Sequence, residues 1–414
     1  MKMTAEIVIM NKSAIAMAAD SAATLTNNKV YNGVNKLFQL STKPPIGIMI
    51  YGNADCNGIP MEILIKEFRK NLQDKGLEEI SEFGKNLMDF LKIKCENYCD
   101  TSSYYLSIMS DIFINFHKFY IKYLQENEDE NCIFLDYLDE KYSEDKFHFN
   151  VNIDEVELEG SDEIITKIFK RGVLSDFFNQ EDKERAYKIL KKLLIFNILL
   201  NYTGIVIAGF DCEKLYPSYV SYHVLGLLTG KFIYKINEEV GISNQNPAHI
   251  SPFAQSDVVE TYLKGINSEN QKTILKYIQN FLNDFPEEMI NIFEEGEILD
   301  NKNLDKLRKN IEEIKQPITE RENKFKDFFN ELKEDNYSPI LGSIAHVPKE
   351  DLSNMCESLI HLTSLRRKIS YDVESVGGEI DVAIISKGDG FIWTKRKHYF
   401  DGDLNPQFLD NRSF

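Results

Sequence analysis

The chain has 414 residues and a mass of 48.0 kDa, 43% of it hydrophobic and 28% charged. That composition excludes collagen-like, mucin-like and wholly disordered classes and leaves enough apolar residues for a sizeable core. The 66 acidic residues outnumber the 48 basic ones, giving a net charge of −18. Such a surface repels phosphate backbones and anionic lipid, so neither nucleic acid nor a membrane is expected as a partner. Six cysteines, too sparse for a disulfide framework, point to a reducing compartment, and a cytoplasmic location is expected. Cys95 and Cys99 form the close pair, but a zinc site would need two more ligands and no histidine lies near them in sequence.

Lys2, the apolar residues after it and the Ala16-Met17-Ala18 stretch imitate a secretory signal, which Glu6, Asn11 and Lys12 interrupt. The first fifty residues read as strands at Glu6–Met10, Ala14–Ala19, Leu37–Leu40 and Ile46–Tyr51, separated by Asn11-Lys12-Ser13, Asn27-Asn28 and Pro44-Pro45. From about Gly58 to Glu126 the period becomes helical, and two or three helices are expected. An acidic, irregular stretch at about 127–182 reads as an insertion, followed by a helix over Lys183–Leu200. Leu193–Phe210 is apolar enough to suggest a membrane span, but Asn197, Asn201, Tyr202, Thr203 and Gly204 divide it into a helix end, a turn and a strand. Further strands are expected at Ser218–His223 and Lys231–Ile236.

Ser256 precedes an apolar stripe as an N-cap candidate, and helices should run to about Glu294. Asn303–Leu332, rich in Lys and Glu and containing Pro317, reads as a solvent-exposed helical hairpin within a second insertion at about 283–336. A helix over Lys349–Lys368 and strands at Glu379–Ser386 and Gly390–Thr394 close the chain. The order is that of an α+β fold, with no internal repeat and a single domain over 1–414.

Thr4, Asp20 and Lys36 stand at equal intervals of 16 (20 − 4 and 36 − 20). Their contexts, TAEIVIM, AIAMAADSAATL and KVYNGVNKLFQLS followed by IGIMIYGNAD, together resemble the opening of the proteasome β-subunit family of N-terminal nucleophile hydrolases. IVIAGFD at Ile205–Asp211 is similar to the strand that resumes that family's sheet, and SYDVESVGGEIDVAIISKGDG holds Asp372 and Ser375 in its Asp-x-x-Ser arrangement. The resemblance covers roughly residues 4–56, 204–265 and 343–395.

The resemblance implies a four-layer αββα sandwich and threonine-type hydrolysis of a peptide or amide bond through an acyl-enzyme, with no metal or organic cofactor. Thr4 would be the nucleophile and Lys36 the nearby cation, with Asp20 orienting Lys36, Asp372 and Ser375 holding the amine, and the Gly52 N–H facing the oxyanion. Ala23, Thr24, Val34, Ile50 and Ala54 would line the specificity pocket, which favours an apolar side chain before the cleaved bond. The chemistry is sound: a hydroxyl needs a base, and a free α-amine of pKa about 7.7–8.0, lowered by a neighbouring cation, lies within reach. Ala22 stands where the family often has a basic residue. Met1-Lys2-Met3 precedes Thr4, so the amine exists only after the Met3–Thr4 bond is cut. A start at Met3 followed by methionine removal is expected over self-cleavage, because the glycine usual before a self-cut is absent.

The implied partners are a peptide or protein substrate, further copies of the chain and an unfoldase ATPase, with a dimer, a ring and a monomer all open. A non-catalytic structural subunit and a small-amide hydrolase are the alternative functions.

Overall fold

The computed structural model describes residues 4–24, 30–72, 76–99, 202–228, 230–296, 301–370, 376–398, 400–401 and 404–405. The expected insertion at 127–182, the expected helix over Lys183–Leu200, Asp372 and Ser375 lie outside them.

Two five-stranded sheets are built from antiparallel pairs. The first runs in the order β12 (Ala248–Ala254), β1 (Ala5–Asn11), β2 (Ile15–Ala19), β13 (Asp381–Ser386), β14 (Gly390–Lys395). The second runs β11 (Lys231–Gly241), β10 (Ser218–Leu228), β9 (Thr203–Gly209), β6 (Ile46–Gly52), β5 (Leu37–Ser41). Two short ribbons, β3 (Ala22–Thr24) with β4 (Val30–Asn32) and β7 (Asp55–Cys56) with β8 (Ile59–Pro60), form separate two-stranded sheets.

The period-2 alternation of a strand assigns each residue a face. Along β1, Ala5, Ile7 and Ile9 share a core with α3 (Asp257–Lys264), α5 (Asn301–Ile344) and α6 (Lys349–Ile369), through Val259, Leu263, Ile344, Leu352, Cys356 and Ile360. Val8 and Met10 point the other way, into a core shared with Met49, Tyr51, Val206 and Ala208 of the second sheet. The far side of the second sheet, with Ile46, Ile48, Ile205 and Ile207, is covered by α1 (Met61–Leu72) and α2 (Ile80–Tyr98) through Leu64, Phe68, Phe83 and Leu87. Because helices and a second sheet cover both faces, β2, β6, β9 and β13 read as largely apolar runs instead of alternating ones, and β1 does so apart from Glu6. The sheets approach closely at Gly47, where an added Cβ would stand 2.9 Å from both Ile385 Cδ1 and Met17 Sδ. Asp211, just past β9, ties the second sheet to its helices by accepting a 2.7 Å hydrogen bond from the Ile80 N–H at the start of α2.

Three differences from the sequence-based expectation have physical causes. Strand β12 was not among the expected strands, and its HISPFA contains a proline. It is an edge strand, however, where Pro252 need not donate to a further neighbour. The expected hairpin within Asn303–Leu332 is instead a stretch of one 44-residue helix, α5, that continues through Pro317. Its pairing is with α4 (Ser268–Glu295), whose own N-cap Asn267 accepts from the Asn270 N–H. Ser256 does occupy the N-cap position of α3, yet its side chain makes no capping hydrogen bond.

Gly84 gives a stability test. In a helix interior glycine costs about 1 kcal/mol relative to alanine, so Gly84→Ala in open space would stabilise. Here the new Cβ would fall onto the hydroxyl of Tyr222, whose ring is buried against α2. Overpacking of this kind costs about 1–3 kcal/mol. With about 1 kcal/mol regained from helix propensity, Gly84→Ala should therefore lower the urea-unfolding free energy by up to about 2 kcal/mol, and a gain would show that the Tyr222 ring moves freely aside.

Candidate active site

The first residues of β1, the last of β2 and the entry to β5 meet at one end of the inter-sheet core. Thr4 and Glu6 lie on the same face of β1 as Val8 and Met10, and both are buried. Asp20 follows β2, where its N–H donates to the Ala5 carbonyl at 3.1 Å. Its carboxylate reaches back across the strand pair: Oδ1 accepts from the Ala5 N–H at 3.3 Å and from Lys36 Nζ at 2.5 Å, while Oδ2 accepts from the Gly377 N–H at 3.1 Å. Lys36, 3% exposed, is fixed along the backbone by the Ile50 N–H, which donates to its carbonyl at 2.9 Å.

Glu6 was not singled out from the sequence as a site residue. One carboxylate oxygen, Oε2, accepts from the Thr4 hydroxyl at 3.4 Å, and the other, Oε1, lies 3.8 Å from Lys36 Nζ. Its carboxyl thus stands between the hydroxyl and the ammonium group. Oε1 accepts no hydrogen bond among the described residues. Burial, the largest influence, holds the Glu6 carboxyl well above the usual glutamate range; Lys36 opposes the rise, the Asp20 charge adds to it, and the Thr4 hydroxyl opposes it. The signal available beforehand was a lone acid two residues from Thr4 in an otherwise apolar buried strand, AEIVIM.

Thr4 opens onto a cavity of about 330 Å³ whose lining includes Lys36, Ala23, Ile50, Gly52 and Ala54. Val34 is not among its lining residues, and its N–H instead donates to the Ser21 carbonyl at 3.1 Å. Thr24 ends β3 opposite Val30. Asp55 also lines the cavity, so the pocket is not purely apolar as expected. Gly52 has φ +74°, and a Cβ there would come 2.7 Å from the Tyr202 carbonyl oxygen, which explains why glycine occupies this turn. A larger cavity, about 570 Å³, is lined by Lys43, Pro44, Asp211 and Lys387 among others and shares no residue with this one.

No protein-family model matches the chain, and no curated protein sequence matches it. Among solved structures the chain is similar to Anbu (ancestral beta-subunit) from Yersinia bercovieri, at 8% identity and a TM-score of 0.35, covering 98% of this chain and 94% of that one. It is also similar to the helical assembly of the Anbu complex from Pseudomonas aeruginosa, at 8% identity and a TM-score of 0.29, covering 98% and 93%.

Two measurements follow from the electrostatics. Lys36→Met strips the counter-charge from Asp20, and breaking a buried pair costs about 3–5 kcal/mol. Urea unfolding near neutral pH should show a loss of that size, and a loss below about 1 kcal/mol would mean that the site takes in water when the ammonium is removed. For Glu6 the sign is opposite. The folded chain keeps a proton that an unfolded glutamate releases above about 4.3, so the folded state binds more protons and its stability falls as pH rises through that window. Glu6→Gln removes this dependence. Its melting temperature should gain on the wild type progressively as pH is raised from about 4 to about 7, and a difference independent of pH would contradict the raised carboxyl.

Proposed function

We propose that this chain is a threonine-type N-terminal nucleophile hydrolase of the proteasome β-subunit kind, cleaving peptide or amide bonds through an ester on Thr4. The observation that carries this reading is the meeting of Thr4, Asp20 and Lys36, three residues spaced evenly in sequence, at one buried end of the inter-sheet core beside a cavity. Two sheets packed face to face under outer helices agree with the four-layer αββα sandwich that the reading requires.

In this mechanism the Thr4 hydroxyl attacks the scissile carbonyl. The Lys36 ammonium, oriented by Asp20, favours the oxyanionic form of the nucleophile, and the backbone N–H of Gly52 faces the developing carbonyl oxyanion. Loss of one such donor costs about 3–4 kcal/mol in comparable hydrolases. Asp372 and Ser375 are proposed to hold the amine of Thr4, which is freed when Met1-Lys2-Met3 is removed. Ala23, Ile50 and Ala54 are proposed to receive the side chain before the cleaved bond, with Thr24 and Val34 at the pocket's margin. Among the described residues no helix is long and apolar enough to cross a membrane. A cytoplasmic oligomer acting on peptides, fed by an unfoldase ATPase, completes the proposal.

A β-lactone, which acylates an activated hydroxyl, tests it. Intact-mass analysis of the purified protein should show a chain beginning at Thr4 that gains one adduct, located on Thr4 by fragmentation and absent in Thr4→Ala. A processed N-terminus without any adduct would favour a non-catalytic subunit.

A further inference from the structure

Outside the three residues spaced by sixteen, the buried group with the least ordinary surroundings is the Glu6 carboxyl. Asp20 has its oxygens committed to Lys36 and to the Ala5 and Gly377 N–H groups. Lys36, an ammonium, has no lone pair with which to take a proton. Glu6 is different: Oε2 receives the Thr4 hydroxyl directly, and Oε1 receives no hydrogen bond among the described residues.

We propose that Glu6 is a catalytic residue of this site, its carboxylate accepting the proton of the Thr4 hydroxyl as that hydroxyl attacks the substrate. This deepens the hydrolase reading and rests on it, moving the base from the α-amine to a side chain two residues along the same strand. The Thr4 O–H bond breaks and its proton passes to Glu6 Oε2. The Oγ1 electron pair forms the bond to the acyl carbon, and the carbonyl π pair moves onto oxygen. As the adduct collapses the C–N bond breaks, and the departing amine takes the proton from Glu6. Water then reverses the sequence: it gives a proton to Glu6, its oxygen bonds to the acyl carbon, and Thr4 Oγ1 leaves and regains its hydrogen. One amide and one water become one acid and one amine.

The surroundings suit the role. A 3.4 Å contact is long for a committed hydrogen bond but within the range expected of a catalytic pair before substrate tightens it. Burial makes the carboxylate a stronger base than one in water, and Lys36 at 3.8 Å keeps ionisation attainable. The ionisable groups that face Glu6 are Asp20 after β2, Lys36 before β5 and Tyr51 on β6, and burial keeps the Tyr51 phenol neutral by raising its pKa.

The test measures the rate of Thr4 acylation by a β-lactone across pH, using wild type, Glu6→Gln and Glu6→Asp, each confirmed by intact mass to begin at Thr4. Glu6→Gln keeps the side chain's shape and should lower the rate about 10²–10⁴-fold. It should also abolish the limb along which the wild-type rate climbs with pH above the usual glutamate range. Glu6→Asp, one methylene shorter, should keep that limb and recover at least about tenfold over Glu6→Gln, a rescue that a purely structural role would not give; should Glu6→Gln fail to fold, the limb in Glu6→Asp carries the test. Wild type labelled at Thr4 with Glu6→Gln within about threefold of it, limb intact, would overturn the assignment while leaving the hydrolase reading in place. A wild-type chain that begins at Thr4 and takes no label would overturn both.

Discussion

The Lys36 ammonium is almost wholly buried between two sheets, at the edge of the cavity, with the carboxyl groups of Glu6 and Asp20 around it. A charge in such a place is tolerated only when its partners are close and already fixed, because the interior offers no reorienting solvent. Each partner is fixed by the backbone. Asp20 is pinned to Ala5 and Gly377, Glu6 is set by the pleat of β1, and Lys36 is anchored by the strand pair β5–β6. The two sheets must therefore pack in one register for the ion cluster to close, and the cluster in turn opposes any slip, which would leave a buried charge alone.

The same confinement acts on the acid beside the Thr4 hydroxyl. A carboxyl group deprived of solvent is a better proton acceptor than a surface glutamate, and an ammonium nearby decides how far it ionises. Raising basicity by burial works against stability, so the fold holds a group that is unfavourable at neutral pH at the point where the proposed nucleophile lies. Tyr51 and Gly52, at the end of β6, form the opposite wall of the cavity and connect this polar end of the core to its apolar interior.

Much of this arrangement was legible in the sequence, and the failures are instructive. Strands β2, β6, β9 and β13 announced themselves as apolar runs and β1 as one broken by Glu6, and Asp20 and Lys36 were singled out before the fold brought them into contact. Glu6 was visible only as an interruption, because one acid in a strand carries no information about what faces it until the sheets are stacked. Strand β12 was hidden by Pro252, whose acceptability depends on edge position, a property of the whole sheet. The continuity of α5 through Pro317 runs against the local propensity of proline, which is what the sequence offered.

Asp20 accepts a hydrogen bond from Gly377, a residue 357 positions further along the chain, and β2 has β13 as its second neighbour in the sheet. While the polypeptide is still emerging from the ribosome, the acid that orients the ammonium lacks one of its two anchors and β2 has an open flank. An incomplete chain therefore carries Thr4 without the framework around it, and whatever reactivity the site possesses is deferred until the final quarter of the protein has been synthesised and inserted beside the first.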